Sequence, residues 1–254
     1  MEIKFQDKVV LVTGSSRGIG KAIAYSFAES GAQVVMHYYS NEATAHKAFQ
    51  KLPGSNHMLV KADLRQPPEI KKTFDEIIAK KARIDILVNN AGIFEEARWW
   101  ELDYESWQQY WKRTIDTNLT GMANLTFLVS QAMIGQGGGK IINITSRGAF
   151  RGEPDALPYG SAKAGMNSFG QSLARALGAK KVYVYTLAPG WVRTDMTSDI
   201  LDSDRGKAIE AQSPLNRVAS PEEIANAVLL LAAPGTEYMT GCIVDMNGAS
   251  YLRT

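Results

Sequence analysis

Short apolar runs rich in β-branched residues alternate along the chain with longer amphipathic stretches, the pattern of parallel strands joined by crossover helices. The runs predict seven strands: Val9 to Val12, Val34 to Met36, Met58 to Val60, Ile84 to Val88, Ile141 to Ile144, Val182 to Leu187 and Ile243 to Met246. Ser220-Pro-Glu-Glu223 combines an N-cap serine, a proline at the first helical position and a capping-box glutamate, so a helix is expected from there to about Ala232. Gly137-Gly-Gly139 reads as a turn ahead of a strand. No linker, composition shift or repeat divides the chain, so residues 1–254 are expected to form one α/β domain. The expected architecture is doubly wound and Rossmann-type, a seven-stranded, mainly parallel sheet with helices on both faces. In such sheets ligands bind at the carboxyl ends of the strands.

Composition narrows the ligand. With 28 basic and 26 acidic side chains in 254 residues the formal charge is +2, so no strong field favours nucleic acid or an anionic membrane. A small molecule is the expected partner. The single cysteine, Cys242, excludes an internal disulfide and a cysteine-based zinc site, and reads as a small core residue in a protein of the reducing cytoplasm. Met1 to Lys8 carries no apolar signal core, and no run approaches the roughly 20 apolar residues of a membrane span. His37, His46 and His57 show no metal spacing and read as surface or strand-end residues; no metal site is expected.

After the first strand comes Thr13-Gly-Ser-Ser-Arg-Gly-Ile-Gly20, running into a helical stretch, Lys21 to Ser30. Gly14 suits a tight turn, and Gly18 and Gly20 allow a pyrophosphate to approach helix N-terminal amides, with Ser16, Arg17 and Ile19 beside it. The spacing is G-x-x-x-G-x-G rather than G-x-G-x-x-G, and the strand-turn-helix context carries the dinucleotide reading against that of a turn that merely packs helix on sheet. The second strand ends His37-Tyr-Tyr-Ser-Asn41, with no carboxylate before Glu42 to accept a ribose 2′-hydroxyl. Arg17, Tyr38 and Ser40 therefore favour NADP(H), with NAD(H) the alternative; Ser40 or Asn41 could instead cap the next helix and Arg17 be solvated. Asp63-Leu64 follows the third strand, where the carboxylate either meets an adenine amino group or opens a turn before Pro67. Asn90, Ala91 and Gly92 end the fourth strand with residues small enough for backbone to lie against a cofactor, or with a simple turn.

Tyr159 and Lys163 are four apart, so on a helix they share a face. A phenol with pKa near 10 is a poor base at neutral pH, and a neighbouring ammonium lowers that value toward the range of reversible proton transfer. Ser146, at the end of the fifth strand, is placed to hydrogen-bond a substrate oxygen. An exposed i,i+4 pair is the plain alternative.

Taken in order, Thr13-Gly-x-x-x-Gly-Ile-Gly20, Asn89-Asn-Ala-Gly92, Ser146, Tyr159-x-x-x-Lys163 and Pro189-Gly190 resemble the short-chain dehydrogenase/reductase family over nearly the whole chain. Ala219 to Ile224 and Met239 to Gly248 are most similar to its β-ketoacyl-acyl-carrier-protein reductase branch. The resemblance implies hydride transfer between a nicotinamide dinucleotide and a carbonyl or alcohol, with Tyr159 as general acid/base and a 3-oxoacyl thioester or a small ketone or alcohol as substrate. It also implies a homotetramer, Lys163 on the nicotinamide ribose, and Pro189, Gly190, Val192 and Thr194 around the nicotinamide. Asn118 would hold a water in a proton relay to Lys163; from the residue alone, a buried amide stabilising a helix kink is the other reading. The competing class is a catalytically silent dinucleotide sensor. A sugar-nucleotide epimerase or dehydratase would need a further carboxyl-terminal lobe.

The chain departs from that branch in several places. Between Gly92 and Asn118 it carries about four extra residues, one helical turn, and Trp99, Trp100, Trp107 and Trp111, which suggest a subunit contact, an aromatic edge of the pocket or core packing. Arg175 stands where a basic carrier-docking residue is expected, but Met133 to Gly139 offers none. Tyr185 replaces a common asparagine, with an expected effect on packing. Asp195 to Arg205 reads as a mobile lid or a plain surface loop.

Overall fold

In chain order the elements are β1 (Val9–Val12), α1 (Gly18–Glu29), β2 (Gln33–Tyr38), α2 (Glu42–Phe49), β3 (Met58–Lys61), α3 (Pro67–Lys81) and β4 (Ile86–Asn89). There follow α4 (Tyr104–Ile115), α5 (Gly121–Gly135), β5 (Gly139–Ile144), α6 (Gly148–Arg151), α7 (Leu157–Leu177) and β6 (Val182–Pro189). The chain closes with α8 (Ser198–Leu201), α9 (Arg205–Glu210), α10 (Pro221–Ala232) and β7 (Ile243–Met246). This is a computed structural model, and it describes residues 3–253.

The seven strands form one sheet in the order β3-β2-β1-β4-β5-β6-β7, every pair parallel. Alternate residues feed opposite faces, which explains why the strands read as unbroken apolar runs. Val10, Val12, Val34, Met36 and Val88 pack with Ile23 and Phe27 of α1 and Ile224 and Val228 of α10. Leu11, Val35, Leu87 and Ile141 pack on the other face with Ile70 and Ile77 of α3 and Met122 and Val129 of α5. The strand order reverses between β1 and β4, and a crevice opens at their carboxyl ends, as the sheet rule requires.

Several boundaries move for identifiable reasons. β4 starts at Ile86 because Asp85 turns its carboxylate back to accept the Val9 N–H at 2.9 Å and is held by Arg83. Gly139 is not a turn residue but opens β5, paired with Val182, where a Cβ would meet Met133 Sδ at 2.5 Å. β2 runs on to Tyr38, which takes His37 into the buried sheet and off the surface. Tyr185 is fully buried, its hydroxyl 3.3 Å from Thr236 O, so the departure at this position acts on packing as expected. Cys242 lies half-buried against the core beside β7.

The tryptophan-rich stretch is not core: Trp99 and Trp100 sit in one exposed 3-10 turn, and Trp111 is exposed on α4. None of the four tryptophans lines the cleft described below, which removes the pocket-edge reading. Residues 195–205 contain α8, with Leu201 buried, and are tied down by Arg193 to Asp202 at 3.0 Å and Arg205 to Glu96 at 2.9 Å. Among the described residues no helix is long and apolar enough to cross a membrane.

The capping box at Ser220 forms in full: Ser220 Oγ accepts the Glu223 N–H at 3.2 Å and Glu223 accepts the Ser220 N–H at 2.9 Å. Ser220→Ala removes one of these bonds from a helix that packs on α1. It is expected to lower stability by about 1 kcal/mol, read as a lower urea midpoint with unchanged m-value and unchanged cofactor affinity.

Candidate active site

Gly14 and Gly18 hold φ of +62° and +53°, a conformation that side chains other than glycine resist. A Cβ on Gly14 would come within 2.8 Å of Ala91 Cα, and one on Gly20 within 2.4 Å of Asn90 Nδ2. The first turn of α1 has no acidic residue, and its amides face the crevice with no preceding turn to bond. The loop is thus an anion cradle pressed against the β4 end.

Hydrogen bonds weld the two strand ends together. Thr13 Oγ1 accepts the N–H groups of Asn90 at 2.9 Å and Ala91 at 3.0 Å, and Asn90 Nδ2 donates to Thr13 O at 2.9 Å. His37 supplies a third strut: its Nδ1 accepts the Gly14 N–H at 3.2 Å, and its Nε2 lies 3.0 Å from Ala62 O. A neutral ring protonated on Nε2 satisfies both contacts, and burial lowers its pKa from 6.5 to about 4. The sequence reading left His37 as a surface or strand-end residue; an apolar strand continuing through a histidine was the available signal.

At the β2 and β3 ends, Asn41 caps α2 by accepting the Thr44 N–H, as the capping alternative had it. Asp63 opens a turn, accepting the Arg65 N–H at 2.9 Å, and Arg65 also clamps it through its guanidinium at 2.7 Å. That pairing holds the Asp63 carboxyl below the usual range. Arg65 donates to Tyr39 Oη at 2.8 Å and stacks on its ring, so a second cation besides Arg17 faces this end of the cleft. Sequence reasoning passed over Arg65, two residues beyond Asp63.

The cleft measures about 740 Å³ and is lined by all the residues expected to hold a dinucleotide, from Gly14, Ser16, Arg17, Gly18, Ile19 and Gly20 through Tyr38, Ser40, Asp63, Leu64, Asn90, Ala91 and Gly92 to Pro189, Gly190, Val192 and Thr194. Tyr159, Lys163 and Ser146 stand at its other end, with Phe94, Arg147, Glu153 and Trp191. Helix α7 carries Tyr159 and Lys163, and the loop after β5 carries Ser146. Asn118 does not line the cleft. It is fully buried in a π-turn (Asp116–Thr120) between α4 and α5, where it accepts the Ile93 N–H and donates to Ile93 O, both at 2.8 Å. Its Oδ1 and Lys163 Nζ nevertheless converge on Gly92, where a Cβ would meet them at 3.2 and 3.5 Å.

A family model described as enoyl-(acyl carrier protein) reductase matches residues 14–248. The chain is 40% identical to the 3-oxoacyl-(acyl-carrier-protein) reductase of Aquifex aeolicus, covering 99% of this chain and 100% of that one. It is 36% identical to the Escherichia coli reductase of the same name, over 98% and 100% of the two chains. The chain belongs to the short-chain dehydrogenase/reductase family. Its fold is also that of a provisionally assigned gluconate dehydrogenase from Agrobacterium tumefaciens, with a TM-score of 0.92 at 28% identity over 98% of both chains. As a member of that family it is an oxidoreductase that works on a carbonyl or alcohol with a nicotinamide dinucleotide, and the cradle and cleft fit such a molecule.

Electrostatics at the reacting end differ from the expectation for this short-chain dehydrogenase/reductase. Burial pushes the Tyr159 phenol up to about 12, with the Ser146 hydroxyl opposing and the Glu153 carboxylate adding to the rise. Burial alone lowers Lys163 to about 8. Its Nζ donates to Ile144 O at 2.9 Å and stands 5.7 Å from the Tyr159 ring centre, so here the ammonium does not bring the phenol toward neutrality. Desolvation outweighs the expected attraction.

The folded protein keeps His37 neutral, whereas the unfolded chain takes up a proton below pH 6.5. Stability from this group is therefore complete above pH 6.5 and is lost as pH falls through about 4, a loss of about 3 kcal/mol. Urea unfolding between pH 7 and pH 4 is expected to show a shallower acid loss in His37→Asn than in the wild type; equal slopes would remove His37 as a cause.

Proposed function

We propose that this protein is an NADPH-dependent reductase of a ketone or of a 3-oxoacyl thioester, the latter being the substrate in the names of its relatives. The reading is carried by the convergence of Ser146, Tyr159 and Lys163 on one end of a cleft whose other end is a glycine-rich anion cradle. Arg17 in the cradle, Ser40 at the β2 end and Arg65 beyond β3 support a 2′-phosphate, since two cations and no unpaired carboxylate face that corner.

When bound, the reduced nicotinamide supplies the hydride. The remaining work falls to the chain. Ser146 donates a hydrogen bond to the substrate oxygen and stabilises the charge that develops there. Tyr159, whose phenol burial pushes up to about 12, enters the reaction as a protonated general acid and delivers that proton to the oxygen. Lys163 returns positive charge to the phenolate left behind and reaches the nicotinamide ribose. Asn118, anchored to Ile93, would by family resemblance position a water linking Lys163 to solvent. Val192 backbone and Thr194 hydroxyl meet the carboxamide, and Thr194 already faces Gly18 across the cleft.

The cytoplasm and a homo-oligomer, a tetramer by family resemblance, belong to the same proposal. The free Cys242 supports the first, and exposed Trp111 on α4 with Phe127 on α5 supports the second. No residue of the site favours the silent sensor.

The decisive measurement is turnover of a panel of ketones and β-keto thioesters with NADPH and NADH. Tyr159→Phe is expected to lower kcat by about 10²- to 10⁴-fold while NADPH still binds, read by fluorescence titration. Absence of wild-type turnover across the panel in both directions would return the sensor to favour. Arg17→Ala is expected to raise KM for NADPH by about tenfold and to leave KM for NADH nearly unchanged; an equal rise for both would transfer the preference elsewhere.

A further inference from the structure

Beyond Tyr159 the cleft is walled by Phe94 and Trp191, with ring centres 5.0 Å apart for Phe94 and Tyr159 and 6.1 Å for Phe94 and Trp191, both edge to face. These two aromatic residues and Glu153 also line a side compartment of about 190 Å³. The compartment has about a quarter of the volume of the main cleft, which suits a short substituent. Its remaining walls set Glu96, Arg151, Asp155 and Arg205 among small apolar residues such as Pro154 and Ala208. An apolar acyl tail seated there would strip water from these charges and return no hydrogen bonds.

Glu153 is the charged residue of this compartment that also lines the cleft with Ser146, Tyr159 and Lys163. It follows Gly152, whose φ of +79° turns the chain inward, and its carboxylate folds over Gly148, where a Cβ would meet Oε1 at 2.6 Å. The Gly148 N–H donates to Ser146 Oγ at 3.0 Å, so carboxylate and catalytic serine share one small loop. The Glu153 side chain is only 18% exposed, and among the described residues no donor hydrogen-bonds it; the nearest cation, Arg151 Nε, is 3.8 Å away. Burial shifts its carboxyl upward against the pull of Arg151 and Arg147. A largely buried acceptor without a donor lowers stability unless a ligand completes it.

We propose that Glu153 is a specificity-determining residue that accepts a hydrogen bond from a hydroxyl close to the reacting carbonyl, so that the substrate is a short, hydroxylated ketone or the corresponding alcohol. This rests on the reading of the cleft as a carbonyl reductase. Phe94 and Trp191 cover the C–H faces of such a molecule, and the charged rim meets its remaining hydroxyls. Arg147 keeps the pocket electrically balanced from behind: it is buried and donates to Ser250 Oγ at 2.5 Å and Gln212 Oε1 at 2.6 Å.

The test compares erythrulose and fructose with methyl butyl ketone and acetoacetyl-coenzyme A, using NADPH and wild-type, Glu153→Gln and Glu153→Leu proteins. The wild type is expected to favour at least one hydroxylated ketone in kcat/KM by about tenfold or more. Glu153→Leu is expected to lose about 10- to 100-fold on that substrate, chiefly in KM, and to change methyl butyl ketone by a smaller factor, seen in kcat, through the charge removed beside Tyr159. Glu153→Gln, which retains an acceptor oxygen, should fall between. An equal loss on both substrate classes, or a wild-type preference for the apolar ketone or the thioester, would overturn the role of Glu153 while leaving carbonyl reduction standing. No turnover of any of the four would overturn carbonyl reduction, and this inference with it.

Discussion

Thr13 Oγ1 accepts two backbone N–H groups from the β4 end and donates to Val88 O, using the full capacity of a hydroxyl between two strands 75 residues apart in sequence. The cleft depends on this contact. It fixes the β4 end against the glycine turn, and both sides of the cradle then follow: Asn90 binds the Gly14 carbonyl, and Ala91 occupies the space a Gly14 Cβ would need. His37 extends the same brace to β2 and β3. Four strand ends are thereby set in place, which lowers the ordering cost of binding.

At the reacting end desolvation governs. Tyr159 is pushed up and Lys163 down, each toward its neutral form, because the pair sits in protein with few compensating dipoles. A site in this condition holds the proton on the phenol and is ready to give it away, which matches reduction. Oxidation of an alcohol needs the phenolate, and Lys163 would first have to exchange the Ile144 carbonyl for contacts nearer the ring. Gly92 leaves the space for such a movement, since Asn118 Oδ1 and Lys163 Nζ meet at its vacant Cβ position.

Backbone-driven features were legible in the sequence. Glycines at fixed offsets, β-branched runs and Ser220-Pro-Glu-Glu223 each encode a conformation locally, so the cradle, the seven strands and the last crossover helix could be placed before any coordinates. Features made by distant partners were not. Nothing next to His37 announces that its ring will accept the Gly14 N–H, and nothing next to Arg65 shows that it will stack on Tyr39. Core packing was one of the readings of the tryptophans, since aromatic residues are strong core formers, but Trp99 and Trp100 fall on an exposed 3-10 turn.

The same division separates the two halves of the cleft. The dinucleotide half is built largely from glycine turns and strand ends, which a local pattern encodes. The substrate half is assembled from side chains after β4, β5 and β6 and on helix α7, braced by bonds such as Arg205 to Glu96 and Arg147 to Ser250. No local pattern constrains such a surface, so it can change charge without disturbing the fold. Relatives that are 36 to 40% identical match this chain over nearly its whole length, and what family membership fixes is the class of reaction. What the protein reduces is decided where the carboxylate of Glu153 waits without a donor.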